Sequence, residues 1–236
     1  MGVNVFFDFD MTLGYRIMMW RDTVRQLLLE TGAFVYADEI KSFSDGRGYP
    51  WSMPELTHEE FFEGRGWWEN TEIFIYENLL EMVGAERAEY AARHYRERYL
   101  DLKYWGVFPD TVPVLKSLRD KGYMLYILSN HVPEARDLIH SLKIDVYFEK
   151  MYLSAEIGAE KPHPLIYKRA LQGKEGDINI MVGDNYEADI EGALKNGFRG
   201  AIMVRKPREN EYPYYSRYLT GVEPLIGDII CALTNS

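Results

Sequence analysis

A single cysteine, Cys231, stands in 236 residues. One thiol cannot make a disulfide framework within the chain or a CxxC metal or redox site, which fits a reducing compartment. Apolar residues make up 47% of the chain, yet no run of 18 of them occurs, so no stretch is expected to cross a bilayer as a helix. No basic segment followed by an apolar one precedes the early run VNVFFDF, so an export signal is not expected. The expectation is a soluble, cytoplasmic protein. Positive charge is also short: 27 Lys and Arg against 37 Asp and Glu give a net charge of −10. A surface of that sign repels nucleic acid and anionic membranes, so neither is expected as a partner, while a local cationic pocket for a small anion is allowed. Also missing are the HxxxH, HExxH, Walker and GxSxG patterns.

What is present is an alternation of short apolar runs and helical periods. VNVFFDF at 3–9, YMLYILS at 123–129, MYLS at 151–154, INIMV at 178–182 and AIMV at 201–204 read as buried parallel strands. Between the later ones, DTVPVLKSLRD places Asp110 as a helix N-cap, Pro113 in the first turn and Gly122 as the stop. PEARDLIHSL, HPLIYKRAL and YEADIEGALKNG repeat the form. This predicts an α/β fold with a parallel sheet covered on both faces. One interval breaks the rhythm. Ser129 follows Asp8 by 121 positions, whereas a βαβ unit needs roughly 30. Residues 15–105 therefore read as an inserted helical domain carrying WRDTVRQLLLETG, TEIFIYENLLEMVG and AERAEYAARHYRERYLDL, and residues 1–14 with 106–236 read as the core. The last stretch, EYPYYSRYLTGVEPLIGDIICAL, reads as an edge segment and a closing helix.

Asp8 and Asp10 alternate at the end of an apolar strand and so share a face. Two carboxylates about 6 Å apart repel by roughly 2 to 3 kcal/mol at an effective dielectric near 20, a cost that a bound cation offsets. Three more polar clusters follow predicted strands: Ser129 with Asn130, Lys161 in EKPHP, and Asp184 with Asp189 in GDNYEADIEGA. Ligand crevices of open α/β sheets lie at the carboxyl ends of the strands, so these clusters are expected to converge. Each taken singly also has an ordinary reading: Thr12 as a helix cap, Ser129-Asn130 as a turn, Lys161 as a solvated lysine, Asp189 as a first-turn acid.

In order and spacing, DFDMT, SN, KP and GDNYEAD resemble the four-motif signature of the haloacid dehalogenase-like hydrolase superfamily, in its phosphatase branch. The resemblance covers residues 1–14 and roughly 106–236. It implies a Rossmann-like three-layer core, and it makes the insertion at 15–105 a type 1 helical cap. It also implies an enzyme, a Mg²⁺-dependent phosphatase acting on a small phosphorylated metabolite. Asp8 would be the nucleophile that forms an aspartyl-phosphate, and Asp10 the acid and base for leaving group and water. Thr12, Ser129 and Asn130 would bind phosphoryl oxygens, and Lys161 would balance charge. Mg²⁺ would be held by Asp8, Asp184, Asp189 and the backbone carbonyl of Asp10. Met11 departs from the pattern, standing where many relatives have Gly. The alternatives are a phosphomutase, which the motifs leave open, a haloacid dehalogenase, against which Asp10 argues, and a phosphate-binding module, which has no use for Asp10.

Other residues invite weaker assignments. His131 and His163 flank the Ser-Asn and Lys motifs and read as surface or turn residues, with a substrate contact as the alternative for each. In the insertion, Arg47 and Arg65 sit in two Gly-Arg-Gly stretches followed by Trp51, Trp67 and Trp68. These arginines are candidate substrate contacts, and the tryptophans are alternatively cap-core residues. A monomer or homodimer is expected, with the tyrosines at 212–218 available to an interface.

Overall fold

The computed structural model describes residues 2–36, 39–40, 48–206 and 212–234. In chain order the elements are β1 (Val3–Phe7), β2 (Gly14–Arg16), α1 (Trp20–Glu30), α2 (His58–Phe62), α3 (Trp67–Val83), α4 (Ala85–Leu100), β3 (Trp105–Val107), α5 (Thr111–Asp120), β4 (Met124–Ser129), α6 (Ala135–Ser141), β5 (Lys150–Leu153), α7 (Ser154–Ile157), α8 (Pro164–Leu171), β6 (Ile178–Gly183), α9 (Gly192–Lys195), β7 (Gly200–Val204), β8 (Tyr215–Ser216) and α10 (Val222–Thr234). They fall into two compact units. One runs to Tyr15 and resumes at Gly106; the other is Arg16–Trp105.

The first unit is built on a six-stranded sheet of order β5-β4-β1-β6-β7-β8, every neighbouring pair parallel. This is the α/β, Rossmann-like architecture that the alternation of apolar runs and helices predicts. The central strand β1 is apolar at four of its five positions because helices cover both faces of a parallel sheet, and its one polar residue, Asn4, is buried with its amide donating to Asn179 Oδ1 at 2.8 Å. On one face Phe6 stacks on Tyr126 at 4.7 Å and meets Phe198 edge-on at 5.0 Å, within a cluster that includes Met181, Ile166 and Ile190. Full burial of such a ring stabilises by about 1.5–3 kcal/mol. From β1 the next core strand, β4, lies on one side; from β6 the next, β7, lies on the other. Their carboxyl ends thus border the switch point where α/β sheets open a crevice.

Three local expectations are corrected. The first strand ends at Phe7, not at 9, because the ladder gives way to the site: the Asp8 N–H still donates to Val182 O at 2.9 Å, but the Phe9 N–H turns to Ser129 Oγ at 3.4 Å. Asp110 does occupy the N-cap of α5, but its side chain makes no capping bond. Its carboxylate accepts instead from Arg205 Nη2 at 2.9 Å and from the Leu219 N–H at 2.8 Å. The segment read as one helix from Tyr186 opens with a turn of π-helix, Tyr186–Glu191, before α9. Asn185 caps that turn, its Oδ1 accepting from the Ala188 N–H at 3.1 Å.

In the second unit, strand geometry among the described residues touches only Arg16 and Trp105. Helix α2 starts with a capping box in which Thr57 and Glu60 satisfy each other's backbone donors. Gly84, at φ 81°, lets the chain turn between α3 and α4. The Arg16 guanidinium lies over the Tyr99 ring at 4.7 Å and donates to Thr23 Oγ1 at 2.8 Å. Trp67 and Trp68 are buried, and Trp51 stacks flat on Tyr49 at 4.5 Å, so all three serve the packing of this unit. No helix among the described residues is long and apolar enough to cross a membrane.

Candidate active site

Three strand ends, one loop and the π-turn bring Asp8, Ser129, Lys161, Asp184 and Asp189 together. Asp8 follows β1, Ser129 ends β4, and Asp184 follows β6. Lys161 precedes α8, and Asp189 projects from the π-turn. All five are buried. The Lys161 ammonium lies 2.9 Å from Asp8 Oδ1 and 2.6 Å from Asp189 Oδ1, and donates to Leu128 O at 2.8 Å. Ser129 Oγ donates to the same Asp8 oxygen at 2.8 Å. Two donors on Oδ1 fix the plane of the Asp8 carboxylate. Gly183 is required behind it, since a Cβ there would overlap the Asp189 carboxylate.

Oxygens of Asp8, Asp184 and Asp189 lie within 4.8 Å of one another. A donor set made only of carboxylates suits a hard divalent cation. The electrostatics agree. Burial pushes Asp189 up to about 7, with the charges of Asp8 and Asp184 adding to it and Lys161 opposing. Asp184 is raised by burial and by Asp8, against the pull of Lys206, whose ammonium pairs with it. Burial alone would lower Lys161, but the charges of Asp189 and Asp8 hold it above its ordinary value, so it stays an ammonium. Two buried acids with raised pKa values, Asp184 and Asp189, beside a locked cation have the electrostatics of a site for a further cation.

The other residues singled out in the sequence fall around this cluster. Asp10 is not one of the three clustered acids, and its side chain is 41% exposed. Thr12 is buried, and its Oγ1 meets no hydrogen-bond partner among the described residues. The Asn130 amide brackets Lys161, accepting from its N–H at 2.6 Å and donating to its carbonyl at 2.9 Å. Arg65 lies in the helical unit, its Nε donating to Phe62 O at 3.2 Å, with Glu63 3.7 Å from its guanidinium. Arg47 lies outside the described residues. Met11 adopts φ 58°, a left-handed conformation that glycine takes without strain.

His131 corrects its reading as a surface or turn residue: its side chain is fully buried, with Nε2 3.6 Å from Asp10 Oδ2. His163 caps α8 through Nδ1, which accepts from the Leu165 N–H at 3.1 Å. Arg205 and Lys206, which no motif marks, also reach residues of the site, Arg205 the Thr12 carbonyl and Lys206 the Asp184 carboxylate. Arg205 Nε donates to Thr12 O at 2.8 Å, and its guanidinium lies 3.7 Å over the Phe108 ring. Two adjacent basic residues beyond β7 carry no pattern that would have marked them. The tyrosines after 211 are partly spent inside the unit, Tyr212 donating to Ala201 O at 2.9 Å.

The chain resembles known proteins over most of its length. It is 30% identical over 144 residues to the glyceraldehyde 3-phosphate phosphatase of Methanopyrus kandleri, covering 56% of this chain and 62% of that protein. It is 30% identical over 143 residues to the phosphoserine phosphatase of Thermus thermophilus, covering 58% and 56%. The matched stretch thus spans about 56–62% of the length of these curated relatives. In fold, it superposes with a TM-score of 0.68 on a putative HAD-hydrolase of Bacillus subtilis bound to magnesium, at 16% identity and covering 97% and 98% of the two chains. A family model described as haloacid dehalogenase-like hydrolase matches residues 4–197, which include every member of the buried cluster. The chain belongs to the haloacid dehalogenase-like hydrolase family.

Proposed function

We propose that the protein is a Mg²⁺-dependent phosphatase that hydrolyses a small phosphomonoester through an aspartyl-phosphate on Asp8. The observation that carries this reading is the contrast between its two neighbouring aspartates. Asp8 is buried and held by Ser129 and Lys161; Asp10 presents a carboxylate that is 41% exposed. A nucleophile needs fixed aim, while a group that gives and takes protons needs access to the leaving group and to water.

In this reading an Asp8 oxygen attacks phosphorus and the ester P–O bond breaks, with Asp10 donating its proton to the departing oxygen. Asp10 then takes a proton from water, whose oxygen attacks the phosphoryl group and releases Asp8. Lys161, locked as an ammonium, offsets the charge of the phosphoryl group. Thr12 Oγ1, a buried hydroxyl with no partner among the described residues, is available to a phosphoryl oxygen. Asn130 acts chiefly by holding Lys161, with its remaining N–H free to join the same oxygens. Mg²⁺ held by Asp8, Asp184, Asp189 and the Asp10 carbonyl would supply charge neutralisation of the phosphate. Arg16–Trp105 is assigned the role of a cap that selects the substrate, with Arg65 and Arg47 as candidate contacts.

The test is phosphate release from a panel including glyceraldehyde 3-phosphate and phosphoserine, with Mg²⁺ and with EDTA. Metal-dependent turnover that falls by about 10³-fold or more in Asp8→Asn is expected. Isomerised sugar phosphate without free phosphate would favour a mutase instead.

A further inference from the structure

His131 occupies a place that the reaction outlined above does not use. Its ring is fully buried beside Phe9, with ring centroids 5.7 Å apart, and its backbone is tied to Ser154, the His131 N–H donating to Ser154 Oγ at 2.9 Å. The ring cannot reorient freely. Nδ1 accepts from the Val132 N–H at 2.9 Å, so on a neutral ring the proton sits on Nε2. Nε2 is the atom that faces Asp10 Oδ2, at 3.6 Å. Burial supports the neutral form, lowering the pKa to about 4.

An aspartate whose side chain is 41% exposed is not held to one rotamer by packing, and an acid serves only in a rotamer that reaches the leaving group. We propose that His131 is a positioning residue for Asp10: its buried Nε2–H donates to the Asp10 carboxylate and selects the rotamer that reaches the leaving-group oxygen. At 3.6 Å the contact is longer than a hydrogen bond, and a small rotation of the exposed carboxylate closes it; catalytic hydrogen bonds commonly tighten when substrate is in place. This rests on Asp10 being the leaving-group acid. His131 touches no substrate atom in this scheme and acts only through Asp10.

The experiment compares His131→Phe and His131→Gln with the wild type on two esters. Glycerol phosphate has a leaving group that must be protonated; 2,4-dinitrophenyl phosphate does not. His131→Phe is expected to lower kcat/KM on glycerol phosphate by about tenfold or more, a part of what a general acid contributes; kcat/KM covers the steps up to the aspartyl-phosphate and leaves out the Asp10-assisted water step that both esters share. The same ratio should show little loss on the dinitrophenyl ester, and partial recovery on glycerol phosphate in His131→Gln, which restores an N–H. Equal losses of kcat/KM on both esters would mean a purely structural role and overturn the proposal. A second measurement does not depend on turnover. Long-range ¹H–¹⁵N spectra of histidine-labelled protein should give His131 as the Nε2–H tautomer, with an ¹⁵Nε2 shift that moves in Asp10→Ala. An Nδ1–H tautomer, or a resonance indifferent to Asp10, overturns the proposal. Absence of phosphate release from both esters in the wild type would instead count against the phosphatase reading, and the spectra would still decide the contact.

Discussion

Asn130 and Lys161 hold each other through a two-way bond, the Asn130 amide accepting from the Lys161 N–H at 2.6 Å and donating to the Lys161 carbonyl at 2.9 Å. The side chain of one thereby sets the backbone from which the other aims its ammonium. In Asn130→Ala both backbone groups lose a partly buried partner, which costs about 1–3 kcal/mol. Urea denaturation should show that loss, and phosphate release should fall with it because the ammonium is no longer held on Asp8.

Replacing the ammonium itself has a larger effect. Lys161→Met leaves Asp8 and Asp189 buried without the cation that lies 2.9 and 2.6 Å from them, and breaking such a buried pair costs about 3–5 kcal/mol. The double variant Lys161→Met with Asp189→Asn should recover part of the loss, since it also removes a stranded charge. A double-mutant cycle in urea measures the recovery, and additivity of the two single effects would contradict direct coupling.

Two buried groups give stability opposite slopes in acid. His131 has a folded pKa of about 4, below its ordinary value of 6.5, so the unfolded chain takes up the extra proton; its contribution is complete above about pH 6.5 and is lost as pH falls toward 4. Asp189 has a folded pKa of about 7, above its ordinary 3.8, so the native state holds the extra proton, and its contribution is lost as pH rises from about 4 to 7. These two slopes oppose each other across about pH 4.5–6.5, and Asp184, which burial also raises, adds to that of Asp189. In EDTA, Asp189→Asn should gain stability with rising pH over that range, His131→Gln should lose it, and urea midpoints at intervals of pH would record both. Added Mg²⁺ should stabilise the wild type more at pH 7.5 than at pH 5, because its ligands must shed their protons.

Met11 at φ 58° bears the steric cost of a left-handed backbone, about 1–2 kcal/mol for a side chain with a Cβ. Met11→Gly is expected to raise the thermal midpoint by a few degrees. An unchanged or lower midpoint would mean that the half-buried Met11 side chain contributes packing of equal worth.

The central sheet was legible because its strands are apolar on both faces, as at Phe6 and Phe7, and a continuous apolar run of that length has few other uses. The gathering of Asp8, Ser129, Lys161, Asp184 and Asp189 was foreseeable from their common place after strand ends. The π-turn at Tyr186 was hidden, since one extra residue in a turn leaves the apolar spacing of a helix nearly intact. Asp110 sits where a cap belongs, but the choice between its own helix and Arg205 is made by residues far along the chain. The burial of His131 likewise depends on Phe9 and Ser154, which no local pattern connects to it.

The order of the sheet also shapes how the protein is made. Strand β1 pairs on one edge with β4, which begins at Met124, and on the other with β6, which begins at Ile178. During synthesis β1 leaves the ribosome long before either neighbour, while the helices between Trp20 and Leu100 can form from local contacts. A chain broken off before Ile178 would keep one edge of β1 with its N–H and C=O groups unpaired, a template for other chains. Fragments of the first unit that stop short of β6 should therefore collect in inclusion bodies, whatever the stability of the finished protein.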